Sequence, residues 1–150
     1  MTYCFLESSA LAKLFVEEAG TVELIRMLED FEDTHKLIAA IAPVEVCSAI
    51  RRRQRMGQLD EGLADETLRL VAFDCSRMVE QQIQGPVLEA AKSLLRQYPL
   101  RTLDAIQLAA CIMAREFLRS DDIVFVCSDS ALLKAAAGEG LGVFNPATAA

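Results

Sequence analysis

An α/β domain built on a parallel sheet is the fold class this sequence predicts, and three features predict it. Short apolar runs alternate with longer stretches whose apolar residues recur every three or four positions. The runs are rich in β-branched and aromatic residues, most clearly Ile123 to Cys127 (IVFVC). One or more helical stretches separate successive runs, as right-handed crossovers require when helices cover the faces of a parallel sheet. With 150 residues, 53% of them hydrophobic and 25% charged, the chain suits a single domain around one core.

The elements follow in order. Residues 2–6 form the first strand, and Ser8 or Ser9 can cap a helix running to about Phe15. Gly20 separates it from a helix over 21–32, with Val22, Ile25, Met27 and Leu28 facing the core. Lys36 to Ala42 (KLIAAIA) is a short apolar run between turn-prone residues and reads as a buried strand. Pro43 suits the first turn of a helix, having no N–H to lose, and that helix stops at Gly57. Asp60 opens the next, which carries Leu63, Leu68, Leu70 and Val71. Residues 74–85 show no clear period, and Gly85-Pro86 marks a break. Helix 86–97 follows, with Val87, Leu88, Ala91, Leu94 and Leu95 in its stripe. Thr102 begins a strong helical pattern through Leu103, Ile106, Leu108, Ala109 and Met113 to Leu118. After the strand at 123–127 come a helix at 131–137 and a short strand, Val143-Phe144, which Asn145-Pro146 turns out of. The domain therefore spans 1–146, with 147–150 as a short frayed tail.

The net charge of −7 argues against broad binding to nucleic-acid phosphates, though it leaves room for a local basic patch. Five cysteines without a CxxC pair read as buried free thiols rather than a zinc site. The one histidine, His35, is assigned to the loop before the second strand. The first residues lack a basic region and a long apolar core, and no apolar stretch reaches membrane-spanning length, so the chain reads as soluble and cytoplasmic. Phe5, Phe15, Phe73, Phe117, Phe125 and Phe144 read as core, leaving no aromatic platform for stacking bases.

Four acids stand at structural junctions. Glu7 follows the first strand and Asp129 the apolar run at 123–127; Glu45 and Asp104 fall in the first turns of helices. Each has a structural explanation by itself: helix dipoles favour Glu45 and Asp104, and Asp129 can cap the helix after it. Together they point toward one crevice at the carboxyl end of a parallel sheet, where such sheets place ligands. Four carboxylates there would repel one another unless cations neutralised them, and hard oxygen donors suit Mg²⁺ or Mn²⁺. Such ions activate water and stabilise the leaving oxygen in phosphodiester hydrolysis. Arg51, Arg52, Arg53 and Arg55 form the one dense basic run. They pair with their helix terminus and solvent, with one or two turned toward the acidic cleft.

Five stretches carry a family resemblance: Tyr3 to Leu14 (YCFLESSALAKL), Pro43 to Ile50 (PVEVCSAI), Leu100 to Ala109 (LRTLDAIQLA), Phe125 to Leu133 (FVCSDSALL) and Val143 to Pro146 (VFNP). In this order the sequence resembles the PIN-domain ribonucleases, and among them the VapC-type toxins of toxin–antitoxin pairs. The resemblance implies a three-layer sandwich with about five parallel strands. It implies a Mg²⁺- or Mn²⁺-dependent endoribonuclease, a homodimer neutralised by a cognate antitoxin protein. Glu7, Glu45, Asp104 and Asp129 would be the metal-binding and catalytic carboxylates. Ser9 would hold water or phosphate beside the first acid. From their own position, Arg101 and Thr102 flank the start of the Asp104 helix and either orient that turn or, for Arg101, bind phosphate. Two positions depart from the family pattern. Glu7 replaces the usual aspartate and adds about 1.5 Å of reach; Cys127 stands where a hydroxyl is common. Both touch the site, so the alternative is a catalytically weakened module that binds an antitoxin or RNA without efficient cleavage.

Overall fold

The computed structural model describes residues 2–30 and 33–149. Its elements run β1 (Thr2–Leu6), α1 (Ser8–Ala12), α2 (Thr21–Glu29), β2 (Thr34–Ala39), α3 (Ala42–Arg55), α4 (Glu61–Cys75), β3 (Val79–Gln81), α5 (Gly85–Gln97), α6 (Thr102–Leu118), β4 (Ile123–Val126), α7 (Ser130–Gly138) and β5 (Gly142–Phe144). The five strands form one sheet in the order β3-β2-β1-β4-β5, and every pairing is parallel. From β1 the chain winds outward through β2 to β3, then crosses back to the other side of β1 for β4 and β5. The winding direction thus reverses between β1 and β4, which leaves a crevice at the carboxyl ends of those two central strands.

Alternation along the central strands divides the core in two. Phe5, Leu37, Ile123 and Phe125 face α5, α6 and α7, with the Phe5 and Phe125 rings stacked at 5.7 Å between centroids. Cys4, Leu6, Ile38 and Val126 face the other way, against the layer of α1 to α4. The result is three layers, helix on sheet on helix.

Several expectations are corrected. Residues 79–81 of the stretch without a clear period form β3, an edge strand held through Leu37↔Val79 and Ala39↔Gln81. The second strand is set earlier than expected, at 34–39, so His35 lies inside it, opposite Tyr3 of β1, rather than in a loop. The first helix ends at Ala12, and turns carry the chain past Phe15. The second ends at Glu29, and residues 31–32 of its expected span lie outside those described. Its buried stripe is Thr21 and Leu24, while Val22 and Ile25 are exposed. Leu63, Leu70, Leu88, Leu95 and Leu103 are likewise turned outward, as are Phe73 and Phe117. In each of these helices smaller residues such as Ala64, Ala91 and Ala105 take the tight packing positions against the sheet or a neighbouring helix.

Local chemistry sets the element ends. Asp60 caps α4, accepting from Leu63 N at 2.7 Å. Replacing it by alanine is expected to lower stability by about 1 kcal/mol in chemical denaturation. Gly20 precedes α2 with φ 95°, and an added Cβ would stand 2.7 Å from the carbonyl carbon of Pro146, so only glycine fits there. Residues 147–149 turn on Asn145, whose Oδ1 accepts from Ala147 N at 3.0 Å.

Candidate metal centre

Each of the four acids reaches the carboxyl edge of the sheet by a different route. Glu7 directly follows β1, and its backbone N–H extends the strand by donating to Val126 O at 3.1 Å. Its side chain is buried, with only 6% of its surface exposed. Glu7, rather than Ser8 or Ser9, is the N-cap of α1: Oε2 accepts from Ser9 N at 3.0 Å and from the Ser9 hydroxyl. Asp129 caps α7 in the same way, with Oδ1 accepting from Leu132 N at 2.9 Å. Glu45 sits in the first turn of α3, where Oε1 accepts from Ser8 Oγ and from Gln107 Nε2, both at 2.8 Å. Asp104 lies in the first turn of α6, half-buried beside Arg101.

One oxygen of Glu7, Glu45 and Asp129 is thereby fixed by the protein's own donors. Among the described residues no hydrogen bond reaches the second oxygen of these three, or either oxygen of Asp104. Among the described residues none of the four is paired with a lysine or arginine in a salt bridge within 4.0 Å. The donor set is therefore all carboxylate oxygen, three of the four acids anchored through one oxygen and Asp104 through neither, which fits a hard divalent cation in its chemistry. As placed, no three His, Cys, Asp or Glu side chains among the described residues stand close enough together to hold an ion.

The acids nonetheless act on one another. Burial pushes the Glu7 carboxyl up to about 7; the Ser9 hydrogen bonds oppose the rise, and the charges of Glu45 and Asp104 add to it. Burial also raises Asp104, followed by repulsion from Asp129; Arg101 counters, and Glu45 adds a further rise. Asp104 is thus the electrostatic centre of the group. Cys127, the position where a hydroxyl is common, is pushed up to about 12 by burial and then by Glu7. It stays a thiol, accepting from Asp129 N at 3.2 Å and shaping the turn rather than offering a thiolate.

A groove of about 690 Å³ opens beside the acids, lined by Glu7, Ser9, Glu45, Arg52, Arg53 and Arg101 among others. Arg52 and Arg53 are the members of the basic run that face the cleft, as the sequence suggests for one or two of the four. Arg53 is bound to Glu18 at 2.9 Å, and Arg51 to Asp65 at 2.8 Å. Thr102 is the first, exposed residue of α6 and makes no side-chain cap there. Sequence reasoning missed two residues that touch the acids: Ser8, read only as a cap, and Gln107, which lies inside the quoted LRTLDAIQLA stretch. The signal available for Gln107 was its place three residues after Asp104 on a helix whose neighbouring positions are apolar.

No protein-family model and no curated protein matches the sequence. Solved structures do match the fold. A chain of a toxin–antitoxin complex from Klebsiella pneumoniae is similar with a TM-score of 0.63 and 21% identity, covering 97% of this chain and 98% of that one. A chain of VapBC2 from Rickettsia felis, solved bound to a DNA fragment from their promoter, gives 0.66 and 10% identity over 97% and 98%. FitAcB from Neisseria gonorrhoeae gives 0.63 and 14% over 95% and 97%. The five-stranded parallel sandwich described above thus has a PIN-like fold, which it shares along nearly its whole length with these three chains.

Proposed function

We propose that this protein is a Mg²⁺- or Mn²⁺-dependent endoribonuclease, the toxin of a type II toxin–antitoxin pair. The observation that supports this reading is that four carboxylates from four separate elements act electrostatically on one another, with Glu7 and Glu45 lining one groove. The fold likeness to chains of toxin–antitoxin complexes supports the antitoxin partner. Exposed apolar residues on α4 and α5, such as Leu70 and Leu95, offer surface for that partner and for a second copy of the chain.

In this reading Glu7, Glu45, Asp104 and Asp129 hold the ions through their open oxygens. When bound, the ions supply activation of water and stabilisation of the departing 3′ oxygen. The chain's own groups do the rest. Ser9 and Leu132 N fix the orientation of Glu7 and Asp129. To serve as a ligand Glu7 would be ionised, and burial and neighbouring negative charge are what oppose that ionisation. Arg101 and Arg52, on the groove wall, bind RNA phosphate beside the acids. The test is cleavage of RNA with Mg²⁺, with Mn²⁺ and with a chelator. Cleavage that requires the ion and spares DNA is expected, and RNA left intact with either ion would refute the nuclease.

The second reading, a weakened module that binds an antitoxin or RNA without efficient cleavage, is favoured by Glu7. Its longer side chain folds back on Ser9, and the acids as placed are not gathered closely enough to share an ion. Glu7→Asp separates the two. A nuclease limited by the glutamate keeps or gains activity. A module stays inactive with either residue.

A further inference from the structure

Gln107 is a polar residue in an otherwise apolar run of α6, and its side chain is fully buried. Its Nε2 donates to Ser8 Oγ at 2.7 Å and to Glu45 Oε1 at 2.8 Å. Ser8 Oγ donates to the same Glu45 oxygen at 2.8 Å. Three side chains, from α6, α1 and α3, thus close a triangle of hydrogen bonds around one oxygen of one acid. The amide carbonyl of Gln107 is buried without a partner.

An amide left half satisfied in the core weakens a fold. Stability alone would favour an apolar side chain of the same size, so the glutamine is explained by what it holds. The chemistry of the donor is informative. An arginine or lysine at this place would also donate to Glu45, but its charge would oppose a cation in the crevice. Glutamine donates without charge, as does serine. Both donors act on Oε1, and no hydrogen bond reaches Oε2 among the described residues.

We propose that Gln107 is a positioning residue of the cation site: with Ser8 it fixes Glu45 by one oxygen and so presents the other to a divalent ion. The inference rests on the metal-dependent reading above and assigns the group that orients one ligand. Outer partners of this kind set ligand direction and strengthen binding without touching the ion.

The test is calorimetric titration of Mn²⁺ into the full chain at pH 8, with chemical denaturation of the same samples. Gln107→Met removes both donated hydrogen bonds at nearly constant volume. The Kd for Mn²⁺ is expected to rise by about tenfold or more, while the denaturation midpoint stays level or increases. A merely structural glutamine would give the reverse pattern, lower stability and unchanged affinity. An affinity within about twofold of the parent overturns the proposal, because loss of an orienting partner costs more than that. If Gln107→Met fails to fold, Ser8→Ala reads the same clamp from the other side, with the same expected direction. RNA cleavage plays no part in the readout. A parent that binds Mn²⁺ but leaves RNA intact refutes the nuclease alone, and a parent that takes up no Mn²⁺ refutes both.

Discussion

Glu7→Gln is expected to make the metal-free protein more stable at pH 8, by up to about 3 kcal/mol. The cause is the buried Glu7 carboxyl, raised from an ordinary 4.5 to about 7, first by burial and further by Glu45 and Asp104. Between those two pH values the folded protein keeps a proton that the unfolded chain has released. Stability therefore falls as pH rises from 4.5 to about 7 and is flat above that, so far as Glu7 determines it. An amide at this position removes that slope, and its oxygen can still accept from Ser9 N as the cap of α1. Urea denaturation in a chelator, from pH 4.5 to 8, measures it. A variant that matches the parent across this range would show that Glu7 is not held in the strained ionisation state described here. The same linkage makes divalent ions stabilise the parent more at pH 8 than at pH 5.5, because protons compete for the ligand.

Asp104→Asn is expected to reduce RNA cleavage by on the order of 10²- to 10³-fold, the range seen when one preorganised electrostatic group is lost. Asp104 is chosen because it makes no hydrogen bond that an amide would break, and because it feels both Asp129 and Glu45. Its replacement removes charge from the centre of the group and leaves the caps of α1 and α7 in place. Circular dichroism should match the parent, and the denaturation midpoint should be level or higher, because burial and repulsion raise this carboxyl too. Equal activity in the parent and the variant would exclude carboxylate-held ions as the basis of cleavage.

Much of this architecture is legible in the chain because the central strands are buried on both faces. β1 and β4 are continuous apolar runs for that reason, and the acids that follow them stand out by contrast. β3 was not legible. Val79, Glu80 and Gln81 form an edge strand with largely exposed side chains, so neither alternation nor apolarity marks it; only pairing with β2 defines it. Helix faces were misjudged where large residues lie on the outside. Periodicity ranks Val22, Ile25 and Leu70 by hydrophobicity, whereas close packing in those layers selects Leu24 and Ala64. In the candidate site, residue type and junction identified the acids, but not how each is held. Glu7 acting as a cap is a local contact with Ser9, where the sequence offered Ser8 or Ser9 as the cap instead; the Ser8–Gln107 grip on Glu45 depends on contacts between α1, α3 and α6. Gln107 meets partners 99 and 62 positions away, beyond the reach of any local pattern.

The claim on which the functional account depends is that these four side chains close on a divalent cation. Diffraction from crystals soaked in Mn²⁺ at pH 8, recorded at the manganese edge, tests it most directly. The account predicts an anomalous peak in the crevice between β1 and β4, about 2 Å from oxygens of at least three of Glu7, Glu45, Asp104 and Asp129. Density confined to other surfaces, or a crevice whose acids remain apart at millimolar Mn²⁺, would contradict it.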